Sequence, residues 1–384
     1  VTSVSESNNP VRHVLANWFA FSALLAALGI LLPLHMEAEG FGVDSIAAVA
    51  GAAGLGGLLS AELVGQLAAR LGPVRLIRLA VAIMAASFVC FGLSSTFAIL
   101  LMMSGLTGVS MAMIRVAAQM LVRNRVDEQR RGRVHAWQGQ TTRLTVLIVP
   151  VVVGAMWEPL STELNFALPV LLTIAAVAAG GSLVVVGARQ VARPDSTITS
   201  LTTMLGYASG PMLFIAARTG RTLLLPLVGL ELGLAPSRIG LLLGLTAAAD
   251  LLISPMSGPL MDRRGRLATI VPSFSLTALG FVLLAASTGG LMLGLAAVVL
   301  GAANGLTAGL ILTLGTDLAP HGKEGPFLGR FGAMGDIGRL IAPFLIGLLG
   351  RLFGLNAAAL SLAVVSVLAL GCVLTFIGET KPAV

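Results

Sequence analysis

The chain is a succession of apolar runs of about 20 residues, separated by short turns that hold most of its charge. Runs of that length match the ~30 Å hydrocarbon core of a bilayer when wound at 1.5 Å per residue. In lipid, a helix is the way such a run satisfies its own backbone amides. The runs fall at 14–34, 45–67, 74–93, 95–121, 134–157 and 164–187, and again at 205–230, 237–260, 267–287, 290–315, 326–349 and 354–377. With 56% hydrophobic and only 11% charged residues, this is read as an all-α polytopic membrane protein with twelve transmembrane helices.

Charge placement sets a direction. Seventeen of the 24 Lys and Arg residues lie in segments that twelve spans assign to one side. The other side holds Arg238 and Arg351, together with Glu37, Glu39, Asp44, Glu158, Glu163 and Glu231. Basic loops accumulate in the cytoplasm, so both termini are expected there, in a cell membrane. The net charge of +7 therefore reflects loops, and 5% aromatic residues offer no stacking platform for nucleic acid. The polar stretch from Val1 to Asn9 runs directly into the first span without a small-residue cleavage site, so no cleavable signal peptide is expected. Cys90 and Cys372 both sit in apolar runs and read as packing residues.

An internal repeat organises the spans. Shifting the chain by 193 residues places Leu31-Leu32-Pro33-Leu34 on Leu224-Leu225-Pro226-Leu227, Gly40 on Gly233 and Ile46 on Ile239. The same shift places Gly65, Leu67, Arg70 and Gly72 on Gly258, Leu260, Arg263 and Gly265. Two similar membrane halves follow: 1–187 and 201–384, joined by the polar linker 188–200.

The basic turn Gly258-Pro259-Leu260-Met261-Asp262-Arg263-Arg264-Gly265-Arg266 resembles the signature G-x-L-x-D-R-x-G-R loop of the major facilitator superfamily. Its first-half copy keeps Gly65, Leu67, Arg70 and Gly72, but Ala69 stands where the acid belongs. Family members usually keep the better copy in the first half, so the order is reversed here. The resemblance implies two pseudo-symmetric six-helix bundles that rock about a central site, usually as a monomer. It also implies a conformational gating role for Gly65, Arg70, Gly72, Gly258, Asp262, Arg263, Gly265 and Arg266, which would tie helix ends together in one state. Gly258 and Gly265 are expected to let those ends approach closely.

Charges within the spans carry the functional reading, because each costs at least ~2.5–3.5 kcal/mol at the bilayer centre unless partnered or wet. Asp250 lies about 11 residues, hence roughly 16 Å, from the turn at Met261. It is expected either to couple protons or to form a structural ion pair. Asp336 and Arg339 share a face of the eleventh span. Asp336 is a second proton-coupling candidate, and Arg339 with Arg143 of the fifth span would clamp an anionic group from both halves. The alternative is mutual neutralisation of Asp336 and Arg339. Arg218 and Arg221 interrupt the seventh span between Pro211 and Pro226, where they would face Asp250 or a substrate acid. Glu62 and Arg115 are read as structural charges, with Glu62 either standing in for the missing acid at Ala69 or pairing with Arg115. Asn17 and Gln140 are candidate hydrogen-bonding residues for substrate.

No P-loop, Ser/His/Asp cluster or HExxH motif is present, so neither an enzyme nor a metal or organic cofactor is expected. The reading is a secondary transporter exchanging protons for a small amphipathic compound, as drug:proton antiporter-like members do. Five in-span arginines against three acids keep open a transporter of an anionic metabolite or lipid. A scaffold that retains only the fold is the third possibility.

Overall fold

A computed structural model of the chain describes residues 9–125, 128–179, 201–320 and 324–380. The described residues form thirteen helices and no strand. The first half contains α1 (Asn9–Ala38), α2 (Val43–Leu59), α3 (Ala61–Leu93), α4 (Phe97–Arg125), α5 (Glu128–Met156) and α6 (Thr162–Ala179). The second contains α7 (Leu201–Glu231), α8 (Pro236–Arg264), α9 (Leu267–Ala285), α10 (Gly290–Leu306), α11 (Leu310–Leu318), α12 (Glu324–Phe353) and α13 (Leu355–Phe376). The expected linker 188–200 lies outside the described residues.

Thirteen helices make twelve spans because the breaks fall elsewhere than the turns. Span two is interrupted at Ser60, between α2 and α3, and continues to Leu71. Gly72, with φ +72° and ψ 168°, then reverses the chain inside α3, and Pro73 opens the third span. Span ten is likewise broken at Gly309, which is left-handed, into α10 and α11. Ten helical stretches among the described residues are long and apolar enough to cross a bilayer. Large apolar side chains such as Leu252 (76% exposed) and Phe344 (70% exposed) point outward, as a lipid-facing surface requires.

The 193-residue repeat is present in the backbone. Gly40 and Gly233 both have positive φ, and Gly72 and Gly265 both combine positive φ with extended ψ. The helix crossings repeat too. A Cβ on Gly108 would lie 1.8 Å from the Ala53 carbonyl oxygen, and one on Gly301 would lie 2.1 Å from that of Thr246. Each pair is offset by 193, so α4 crosses α2 as α10 crosses α8, with backbones touching at a glycine. These crossings lie inside one half, where neither helix can withdraw. Gly108→Val and Gly301→Val are each expected to cost about 3 kcal/mol or more, read as loss of monodisperse protein or a large fall in Tm in detergent.

The halves meet at one end of the bundle. There α2 packs on α12 and α5 on α8. Gly347 and Gly350 of α12 lie against Ala47 and Val43, and Gly154 of α5 lies against Pro236 and Gly240. Arg351 closes on Asp44 at 2.9 Å. Leu31, Leu34 and Ile46 share one buried core with Leu224, Leu227 and Ile346. We call this the acidic end, since Glu37, Glu39, Glu158 and Glu231 lie beside it. At the basic end, a separate core of Met204, Phe214, Met261, Ile270, Phe274 and Phe331 belongs to the second half alone.

The signature turn is also confined to the second half. Arg266 pairs with Asp317 at 2.9 Å and with Asp262 at 3.6 Å, and the Asp317 hydrogen bond holds its pKa above the ordinary arginine value. Glu379, beyond α13, accepts hydrogen bonds from the backbone amides of Arg266 (2.8 Å) and Leu267 (3.0 Å) at the start of α9. Asp262, Arg263 and Arg70 are exposed. The expected close approach at Gly258 is not found, since a Cβ there would meet nothing within 4 Å, whereas at Gly265 it is present: a Cβ there would lie 2.4 Å from Glu379 Oε2. Gly265 is needed for its positive φ.

Candidate functional site

Between the halves, α1, α2 and α4 on one side and α7 and α12 on the other enclose a cavity of about 260 Å³. Leu25, Leu28, Ile46, Met111 and Leu223 make its walls apolar, and Arg115, Asp336 and Arg339 are its charged lining. The sequence of α12 explains how those charges get there. Gly335 and Gly338 bring one face of α12 against α7, where a Cβ on Gly338 would lie 2.3 Å from the Met212 carbonyl oxygen. Asp336 and Arg339, one position on from each glycine, turn to the cavity.

Arg115 of α4 reaches Asp336 Oδ1 at 3.0 Å, and Arg339 donates to the same oxygen. One carboxylate therefore serves two guanidinium groups. The expected Glu62–Arg115 pair is not formed: Arg115 binds the opposite half, and Glu62 is exposed with no ion pair among the described residues. Arg115 was thus misplaced as a purely local charge. Helix spacing gives its depth in the membrane but not the helix that faces it.

A second charge pair crosses the interface between α5 and α8. Arg143 Nε lies 3.3 Å from Asp250 Oδ1, and both residues are largely shielded from solvent. Asn304 of α10 donates to the other oxygen of Asp250 at 2.7 Å. This contact exists because α10 presses on α8 through glycine: a Cβ on Gly305 would stand 2.7 Å from the Asp250 carbonyl oxygen. Arg143 therefore does not join Arg339 in a two-sided clamp, as the sequence suggested. Each is held by a different aspartate.

Arg218 and Arg221 come from the middle of α7. Arg221 donates to the Leu300 carbonyl of α10 at 3.0 Å. Arg218 makes no hydrogen bond or ion pair among the described residues, and its side chain is exposed. Gln140 is exposed and does not line the cavity. The side chain of Asn17 lies outside the described residues, while its neighbour Trp18 donates to Thr142 at 2.9 Å, which ties α1 to α5.

Two six-helix bundles, sealed at one end around a charged cavity, define a carrier architecture. The chain belongs to the Major Facilitator Superfamily, whose model matches residues 14–218 and 207–384; it is a membrane transporter of that family. Among solved structures it is similar to a mutant of the nucleoside transporter NupG (TM-score 0.74, 14% identity, covering 96% of this chain and 100% of that one). It is similar also to the human organic anion transporter MFSD10 (0.70, 16%, covering 96% and 99%). A third is a mutant of the peptide transporter POT in complex with sulfate (0.74, 13%, covering 99% and 97%). Identities this low carry the fold alone. No curated protein matches the sequence.

Proposed function

We propose that this protein is a secondary active transporter that exchanges a small amphipathic compound for protons by rocking its halves about the cavity. The basic end faces the cytoplasm in this reading, and the structure then corresponds to the state closed to the outside. The observation that carries it is the pair of bridges between halves, Arg143–Asp250 and Arg115–Asp336. Both run from a first-half arginine to a second-half aspartate, so both must be broken or rebuilt when the halves rock. A proton on either aspartate removes the charge that holds its arginine, and so biases the two states differently.

Asp250 is the better coupling site of the two. Its carboxylate accepts from the side-chain amide nitrogen of Asn304, while Asn304 Oδ1 is buried without a hydrogen-bond partner among the described residues. Rotation of that amide presents its oxygen instead, which a protonated Asp250 can donate to. One neighbour therefore satisfies both protonation states. The apolar walls support an amphipathic substrate, and the direction of transport proposed from the family resemblance is export.

The test is substrate-driven proton movement in proteoliposomes containing a pH-sensitive dye, with lipophilic cations, neutral amphiphiles and organic anions screened in parallel. Proton flux evoked by one chemical class supports coupled transport. Solute uptake without proton movement retains the carrier and removes the coupling. Absence of both in folded protein leaves the scaffold reading.

A further inference from the structure

The charge lining the cavity does not balance. Arg115 and Arg339 each make one side-chain hydrogen bond among the described residues, and both bonds end on Asp336 Oδ1. Two guanidinium groups thus share one carboxylate, and no other charged side chain among the described residues lines the cavity. The cluster keeps one positive charge in excess, and a cation at membrane depth needs a counter-charge or water. A guanidinium carries five N–H donors, so most of those on both arginines are unused. With side chains 38% and 47% exposed, neither is packed away from the cavity that both line. Arg115 comes from α4 in the first half and Arg339 from α12 in the second. The pair therefore makes the two-sided arrangement expected of Arg143 and Arg339.

We infer that Arg115 and Arg339 bind the acid group of a small amphiphilic organic anion, whose apolar body lies against Leu25, Leu28, Met111 and Leu223. This rests on the transport reading above and names its substrate class. The acid group supplies the missing negative charge through charge-assisted hydrogen bonds to one guanidinium from each half. At about 260 Å³ the cavity lies just below the usual ligand range of roughly 300–1,000 Å³. That size selects one aromatic ring or a short alkyl chain and leaves out a two-chain lipid. The acid also competes with Asp336 for Arg115, and so for a contact between the halves. Binding replaces a bridge built into the protein by one that departs with the substrate.

The experiment is thermal stabilisation of the purified full chain in detergent by acids and their uncharged or cationic counterparts. Benzoate, hexanoate and phenylphosphonate are compared with benzamide, hexanamide and benzylammonium, and dioctanoyl-phosphatidylglycerol provides the lipid arm. At least one small acid is expected to raise Tm with a midpoint about 10-fold lower than that of its amide. Arg115→Gln and Arg339→Gln each leave one arginine paired with Asp336, so both are expected to fold and to lose that preference. Asp336→Asn removes the competing carboxylate and is expected to tighten acid binding by about 10-fold. Where Asp336→Asn does not fold, the two arginine variants decide alone. Equal stabilisation by the amides, stabilisation by benzylammonium or the lipid alone, or an acid preference that survives both arginine variants overturns the assignment. So does acid binding that weakens in Asp336→Asn. Failure of every acid overturns it as well, and leaves the transport reading standing wherever another class of solute drives flux. An acid that binds as expected but is not taken up by proteoliposomes supports the site and removes the transport reading.

Discussion

Asp250→Asn is expected to abolish substrate-driven proton movement while leaving downhill substrate exchange in place. Asparagine preserves the shape at this position and can still hydrogen-bond Asn304, so the α8–α10 crossing is kept. What is lost is the group that binds a proton and the charge that holds Arg143 at 3.3 Å. Breaking a buried pair from one side costs roughly 3–5 kcal/mol, and less where water enters. A change of about 2 kcal/mol in the balance between states corresponds to about a 30-fold fall in coupled flux. The check is proton flux and counterflow on the same vesicles. Parallel loss of both would make Asp250 a structural or substrate-binding residue. Retention of both would remove it from the mechanism.

Gly240→Leu has the second large effect, on conformation. A Cβ on Gly240 would lie 2.3 Å from the Pro150 carbonyl oxygen, and one on Gly154 would lie 2.5 Å from that of Pro236. These clashes are with backbone, as they are at Gly108 and Gly301, but here they cross between the halves. The chain can relieve them by separating at the acidic end, so the penalty falls on one state and not on folding. Moving a two-state balance from 1:99 to 99:1 takes about 5.5 kcal/mol; overpacking costs about 1–3 kcal/mol and occasionally more, enough for a shift of at least 10-fold towards the open state. The readout is an impermeant maleimide applied from the acidic face to a Thr222→Cys probe, in a chain lacking Cys90 and Cys372. Thr222 lines the cavity. Labelling is expected to rise at least 10-fold in Gly240→Leu, with folded yield preserved. Unchanged labelling with normal yield would show that the α5–α8 crossing does not close the cavity.

The sequence was most legible where one helix or one backbone angle carries the information. Twelve apolar runs foretold the spans. The repeat foretold that Gly40 matches Gly233 and Gly72 matches Gly265, and all four share positive φ because the same tight reversals recur. The breaks at Ser60 and Gly309 were not visible, since glycine-rich apolar runs give no cue to where a helix is interrupted. Contacts between halves were least legible. Periodicity fixes the depth and face of Arg115, Arg143, Asp250 and Asp336, but the partner depends on which helix of the other half lies opposite. Local reasoning therefore assigned Arg115 to Glu62 and set Arg143 beside Arg339. The close crossings at Gly108 and Gly301 carried a signal that the 193-residue shift exposes. Small residues that superimpose in a repeat mark positions where two backbones touch.

The measurement that bears most directly on the account is a pair of spin-label distances in lipid. One is between Glu39→Cys and Glu231→Cys at the acidic end, the other between Gln66→Cys and Arg330→Cys at the basic end; all four positions are exposed. Each is recorded at high and low pH in the wild-type background and with Asp250→Asn. Rocking predicts that acidification lengthens the first distance as it shortens the second, and that Asp250→Asn fixes both near their low-pH values at every pH. Two single, pH-independent distances, or two ends that move in the same sense, would contradict exchange between states governed by the bridges across the cavity.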